Sequence, residues 1–242
     1  MNAPRRVGEV VHRVRTPSTE TIHRLLRHVR SKGIDWVPQT LELTESEEVL
    51  SYLQGAVPHD MPGWIWEESV LCQVASRMRE WHDATLDFDS QDAVWALEIN
   101  TDSAVICHND FAPYNCVFMD QRMVGLIDFD LCAPGSRLWD MAYTAYRYIP
   151  VMPHVHDPRF HECSPFPPDE ICRRLNLFLD TYAHGQPRHR HSRQDLLQMI
   201  ILRLNAIAAW TRRYGQETSN PALMQNADMY EHHAHWISTL FV

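Results

Sequence analysis

Apolar positions recur along this chain with two different periods. Val10-Val11-His12-Arg13-Val14 reads as a short strand, and Thr16-Pro17 then offers a cap with proline at the first helical position. The helix predicted after it carries Ile22, Leu25, Leu26 and Val29 at i, i+3, i+4 and i+7, one apolar stripe, and Gly33 closes it. Thr40 to Leu43 and Glu48 to Leu53 read as two short strands separated by a polar turn, followed by Gly55 and a proline-containing break. Residues 1–54 are therefore expected to form a small mixed α/β lobe.

The pattern is helical again from Glu67 to Thr85, where Val70, Leu71, Val74, Met78 and Trp81 supply a buried stripe. A strand at Ala104 to Cys107 leads into the loop His108-Asn109-Asp110-Phe111-Ala112-Pro113-Tyr114-Asn115. A hairpin of Cys116 to Met119 and Met123 to Ile127 follows. Helices are predicted near Leu138 to Tyr148, Asp169 to Ala183, Ser192 to Tyr214 and Pro221 to Leu240. Ile149 to Pro168 is proline-rich and is expected to be an ordered surface loop. Residues 55–242 thus read as a larger, mainly helical lobe without internal repeats.

Composition narrows the class of partner. The 242 residues suffice for a sizeable core, and 45% apolar with 22% charged residues is an ordinary globular balance. The formal net charge of −9 disfavours a nucleic-acid binder and suits a cationic substrate. Lys32 is the only lysine, so nearly every fixed positive charge is an arginine. No apolar run reaches the roughly 18 residues a membrane span needs, and the opening residues lead into no apolar secretion segment, so a soluble, cytoplasmic protein is expected. Cys72, Cys107, Cys116, Cys132, Cys163 and Cys172 lack C-x-x-C spacing and are expected to be free thiols.

The hairpin brings chemistry together. With its turn around Asp120 to Arg122, the numbers of opposed residues sum to roughly 241 to 243, so Asn115 faces a position between 126 and 128. Asp128 then lies beside Asn115, and Asp110 on the incoming loop can reach the same mouth. Two carboxylates and one amide oxygen suit Mg²⁺, which keeps several waters and binds through one or two carboxylates plus substrate phosphates. Singly, these residues are ordinary turn and strand-end formers; their order and spacing together favour a site.

His108-x-Asp110-x-x-x-x-Asn115, followed by Ile127-Asp128-Phe129-Asp130, resembles the catalytic and metal loops of the aminoglycoside phosphotransferase family, relatives of protein kinases. Arg79-Glu80-Trp81-His82-Asp83-Ala84 resembles the helix that ends before that active site. Pro134-Gly135-Ser136-Arg137-Leu138-Trp139-Asp140-Met141-Ala142-Tyr143 resembles the segment after the metal loop, and Leu50-Ser51-Tyr52-Leu53-Gln54-Gly55 the interlobe hinge. The resemblance covers residues 8–150 clearly and the C-terminal helices in pattern only. It implies an α+β, two-lobed protein-kinase-like fold with a reduced N-terminal lobe and a mainly helical C-terminal lobe. The implied activity is Mg²⁺-dependent transfer of the γ-phosphoryl group of ATP or GTP to a hydroxyl of an aminoglycoside-like or other small acceptor, with no nucleic-acid or membrane partner. By the same resemblance Asp110 is the base, Asn115 and Asp128 hold the metal, and backbone near Ser51, Tyr52 and Leu53 meets the adenine edge. His108 and Asp140 support the loop.

Departures from the family pattern lie in the first lobe. Gly8, Gly33 and Gly55 are isolated, so no Gly-rich phosphate loop is visible, and too few residues precede Gly8 for the two strands that carry one. Arg13 aligns best with the phosphate-binding lysine, and its planar fork can bind phosphate oxygens in pairs. Glu20 is the only carboxylate on the following helix that could partner it. Asn109 stands where many relatives have glycine or arginine. Two other readings compete. One is a catalytically weak or inactive kinase-like module that binds nucleotide or ligand. The other is a zinc site built from His154, His156, His161 and Cys163, from His189 and His191, or from His232, His233 and His235. Asp157, Glu162, Asp169 and Glu231 are candidates to line an acceptor site.

Overall fold

A computed structural model of the chain describes residues 4–97, 104–151, 166–186 and 191–241. Strands β1 (Arg5–Val7) and β2 (Val10–Val14) pair antiparallel, Val7 opposite Val10, across a turn in which Gly8 has φ +60°. That left-handed conformation is one glycine adopts without steric cost. No strand was expected at Arg5–Val7, because its two arginines and exposed face hide any apolar alternation. Helix α1 (Thr19–Ser31) follows, two residues later than the Thr16-Pro17 signal suggests. Thr19 Oγ1 accepts from the Thr16 backbone N–H at 2.8 Å, which turns the chain before the helix begins. Ile22, Leu25, Leu26 and Val29 are buried, as their spacing predicts.

Strands β3 (Thr40–Leu43) and β4 (Glu47–Ser51) complete a four-stranded antiparallel sheet in the order β1-β2-β4-β3. Its register sets His12 against Val49 and Arg13 against Glu48. Helix α2 (Glu68–Ala84) buries Val70, Leu71, Val74, Met78 and Trp81. Strand β5 (Val105–Cys107) then enters the loop of interest, β6 (Cys116–Met119) and β7 (Arg122–Leu126) form the hairpin, and β8 (Ala133–Gly135) pairs back onto β5.

The hairpin register is the one the tight turn dictates: Cys116 opposes Leu126 and Met119 opposes Arg122, with a bulge between Val117 and Phe118. The Ile127 N–H extends the ladder to the Asn115 carbonyl at 2.9 Å. Ala56 exchanges two backbone hydrogen bonds of 2.8 Å with Phe118, strapping the segment after β4 onto the hairpin. Glycine is required beside that strap. Gly55 has φ +139°, and a Cβ there would stand 2.6 Å from Val117 Cγ1 and 2.7 Å from the Phe118 carbonyl oxygen.

The remaining helices are α3 (Arg137–Tyr148), α4 (Pro168–Ala183), α5 (Arg193–Glu217) and α6 (Pro221–Phe241). Ser192 caps α5 through a reciprocal pair with Asp195. The α5 and α6 helices pack closely where Gly215 faces Leu223, a contact that an added Cβ would tighten to 3.1 Å. The chain divides into two compact units, Met1–Pro58 with Ser76–Asp140, and His59–Ala75 with Met141–Val242. The first holds the sheet, the loop and the hairpin; the second is mainly helical. Among the described residues no helix is long and apolar enough to cross a membrane.

Candidate active site

Every residue of the His108 to Asp130 constellation belongs to the first unit, and the scaffold beneath it is buried. The Trp81 indole donates to the Ile106 carbonyl at 2.8 Å, and its ring packs against Phe129 and His108. Asp140, at the first turn of α3, is the keystone. Its Oδ2 accepts the His108 N–H at 2.8 Å and the His82 Nε2–H at 3.1 Å, while Oδ1 accepts the Asn109 N–H at 2.8 Å. Burial alone would raise this carboxyl, but the hydrogen bonds from His82 and the loop outweigh it and hold the group below the usual carboxylate range.

His108 continues the loop inward. Its Nδ1 accepts the Asp110 N–H at 3.3 Å and its Nε2–H donates to the Ile127 carbonyl at 3.2 Å, an arrangement that requires the neutral ring. Burial depresses both His108 and His82, favouring their neutral forms. Because the folded values lie below the unfolded ones, the unfolded chain takes up more protons as pH falls through about 6.5. Stability is therefore expected to decline between pH 7.5 and 5, by up to about 1.4 kcal/mol per pH unit for each ring. Urea unfolding across that range tests this, and a flat profile would contradict it.

Asn109 has φ +65°, in the left-handed region that asparagine tolerates better than most residues. This explains why a residue other than glycine fits the position. Its side chain is pinned at both ends, Nδ2 donating to the Leu131 carbonyl at 2.9 Å and Oδ1 accepting the Trp139 indole N–H at 3.1 Å.

Above this base the half-buried Asp110 presents its carboxylate. Tyr114 OH donates to Oδ1 at 2.7 Å, and Asn115 Nδ2 donates to Oδ2 at 2.8 Å and to the Asp110 carbonyl at 2.9 Å. With its nitrogen committed to Asp110, the Asn115 amide turns its Oδ1 the other way. Asp128 follows Ile127 with an exposed carboxylate and φ +64°. The hairpin thus brings Asp110 and Asn115 into direct contact and sets Asp128 one residue beyond Asn115's backbone partner.

Arg13 reaches this end of the hairpin from the sheet. Its guanidinium bonds the Asp130 carboxylate, lies 3.8 Å from Asp128 Oδ1, and pairs with Glu48 Oε1 at 3.4 Å. Burial would lower its pKa, but Asp130 and Glu48 outweigh that and hold it charged. Glu20 is not the partner. It bonds Arg15 at 3.3 Å on the surface, and Glu48 on β4 faces Arg13 instead, with His23 Nε2 on its other oxygen at 2.8 Å. Sequence reasoning missed Glu48, His23, Asp130 and Tyr114 as contributors.

At the end of β4 the Ser51 N–H donates to the Gln39 carbonyl at 2.9 Å, and in the segment that follows the Tyr52 N–H donates to the Glu9 carbonyl at 2.8 Å. Leu53 packs its Cδ1 against the bare Cα of Gly125.

The family comparison matches this region. Residues 49–162 fit the model described as the phosphotransferase enzyme family. This is a phosphotransferase-family segment. It contains the loop of residues 108–115, the hairpin and the whole of α3 in one continuous run. A curated relative, the trifolitoxin immunity protein of Rhizobium leguminosarum bv. trifolii, is 31% identical over 137 residues, 53% of this chain and 51% of that protein. The chain thus spans about half the length of that relative. Among solved structures, an ethanolamine kinase from Plasmodium vivax superimposes with TM-score 0.65 at 12% identity, covering 93% of this chain and 75% of the other. The ADP-bound aminoglycoside phosphotransferase APH(2″)-Ib does so with TM-score 0.55 at 15% identity, covering 95% and 88%. The fold around the phosphotransferase-family segment is accordingly α+β and protein-kinase-like, with a small N-terminal sheet and a mainly helical C-terminal region.

Of the other sequence candidates, His154, His156, Asp157, His161, Glu162, Cys163 and His189 lie outside the described residues. Among the described residues no group of three His, Cys, Asp or Glu side chains is placed to hold a metal. His233 is buried on α6 and shares a 2.8 Å hydrogen bond with the Tyr146 hydroxyl. Glu231 pairs with Arg212 at 2.8 Å, and Asp169 is exposed at the start of α4. The five described cysteines are free thiols.

Proposed function

We propose that this chain transfers the γ-phosphoryl group of ATP or GTP to a hydroxyl of a small acceptor. The observation that carries the reading is the Asp110–Asn115 pair, a carboxylate and an amide locked together at the end of the hairpin. In this reading Asp110 orients the acceptor hydroxyl and takes its proton, as positioned carboxylates do in phosphoryl transfer. His108 and Asp140 keep the loop that carries it in one conformation.

The Asn115 Oδ1 and the Asp128 carboxylate would hold Mg²⁺, since hard oxygen donors with room for water suit that ion. When bound, the ion neutralises phosphate charge. Arg13 stands beside Asp128 and would grip phosphate oxygens with its planar fork. Because the Ser51 and Tyr52 N–H groups already donate within the sheet, the base edge is assigned to the Leu53 N–H and to the carbonyls of residues 51–53. A small hydroxylated acceptor, cationic in preference, is supported by the net charge of −9 and by the names of the ethanolamine kinase and aminoglycoside phosphotransferase that share the fold. A soluble, cytoplasmic setting belongs to the same reading.

The second reading, a kinase-like module that binds nucleotide with little or no transfer, is favoured by one observation: Arg13 is already engaged by Glu48 and Asp130. Turnover separates the two. Mg²⁺-dependent ADP or GDP release that rises with an amino-alcohol or aminoglycoside acceptor supports transfer. Saturable nucleotide binding without acceptor-dependent turnover supports the module.

A further inference from the structure

The Arg13 guanidinium is held from two sides of unequal character. On the sheet side stands Glu48, directly across β2 and β4, whose side chain is 4% exposed and whose second oxygen is bonded by the equally buried His23 of α1. On the hairpin side stands Asp130, whose side chain is 36% exposed. A buried carboxylate with its cation on one oxygen and a histidine hydrogen bond on the other cannot readily give up that cation, because an uncompensated buried charge is costly. An ion pair whose carboxylate is open to water on one side is worth less and exchanges more easily. Glu48 and Asp130 therefore differ in how readily an incoming anion can replace them, while Asp128 stands farther off at 3.8 Å.

We propose that Glu48, backed by His23, is a positioning residue that presents Arg13 to the phosphates of a nucleotide, and that Asp130 is the counter-ion those phosphates replace. This rests on the phosphotransferase reading and deepens it. In that arrangement α1 reaches the phosphate-binding cation through His23 and Glu48, rather than through a carboxylate of its own. Glu48 holds the guanidinium through NH1, the Asp130 carboxylate occupies NH2, and on binding a phosphate oxygen takes over NH2.

The two carboxylates should therefore act on nucleotide affinity with opposite signs. Titration calorimetry of the full chain with Mg-ATP and Mg-ADP is expected to give Asp130→Asn a Kd about two- to fivefold lower than the unaltered chain, the size of a weak, partly solvated ion pair. Glu48→Gln should give a Kd roughly tenfold higher, with His23→Gln shifted the same way by less. Removing any negative charge could favour an anion, so the Asp130→Asn gain is measured again in an Arg13→Gln background. There it is expected to vanish, the non-additivity that marks two residues acting through each other. Weaker binding by Asp130→Asn, or an equal gain without Arg13, overturns the counter-ion role even if Glu48→Gln fails to fold. If Glu48→Gln folds and binds as tightly as the unaltered chain, the positioning role falls while the phosphotransferase reading stands. An unaltered chain that binds neither nucleotide overturns both.

Discussion

Asp110→Asn is expected to lower acceptor-dependent phosphoryl transfer by about 10²- to 10⁴-fold, the usual contribution of a positioned acid–base group. Asparagine matches the shape of aspartate and can still accept from Tyr114; the Asn115 amide loses its acceptor on the side chain but keeps the backbone carbonyl of residue 110, which holds the loop. The side chain is only part-buried, and removal of its charge leaves no unpaired buried ion. The loss should appear in kcat, with nucleotide KM and melting temperature little changed, because the group acts on the proton that leaves the acceptor rather than on the donor. Steady-state kinetics with Mg-ATP and the best acceptor measure the effect. A variant with the full rate would remove Asp110 from the chemistry.

The second large effect falls on a residue that touches no substrate in this scheme. Asp140→Ala should destabilise the fold by about 3–5 kcal/mol, since each buried donor left without an acceptor costs about 1–3 kcal/mol. Three donors would be orphaned at once: the His108 N–H, the Asn109 N–H and the His82 ring N–H. Because the folded carboxyl is held below its unfolded value, its stabilising contribution is present above about pH 4 and is lost as pH falls through the folded value. Urea unfolding at pH 7 gives the loss directly, and the variant's profile should also lack that acid limb. A loss below about 1 kcal/mol would mean that water satisfies the loop as well as Asp140 does.

Much of this architecture was legible because it is local. The α1 stripe of Ile22, Leu25, Leu26 and Val29 follows from helical period alone. The β6–β7 register follows from a tight turn, which leaves the strands no freedom to slip, and so the neighbourhood of Asn115 and Asp128 could be computed by adding residue numbers. The β2–β4 register could not be obtained that way. Residues 15–46, with a helix and another strand, lie between those two strands, so nothing in the sequence says that Arg13 faces Glu48 rather than a neighbour. Glu20 was the natural candidate only because it sits on the next element. Strand β1 was invisible for a different reason: an edge strand with charged, exposed side chains has no apolar face to betray it. The Tyr114 contact escaped because a turn tyrosine reads as a surface aromatic until the loop is closed around it.

That tyrosine sets a thermodynamic baseline for the acceptor. Its phenol already satisfies one oxygen of Asp110 at 2.7 Å, and Asn115 satisfies the other. Each oxygen keeps a second acceptor site, so a visiting alcohol takes the place of water there rather than of either donor and gains little net from the exchange. Selectivity among alcohols must then be earned elsewhere on the molecule, through its shape, its charge and the water it sheds.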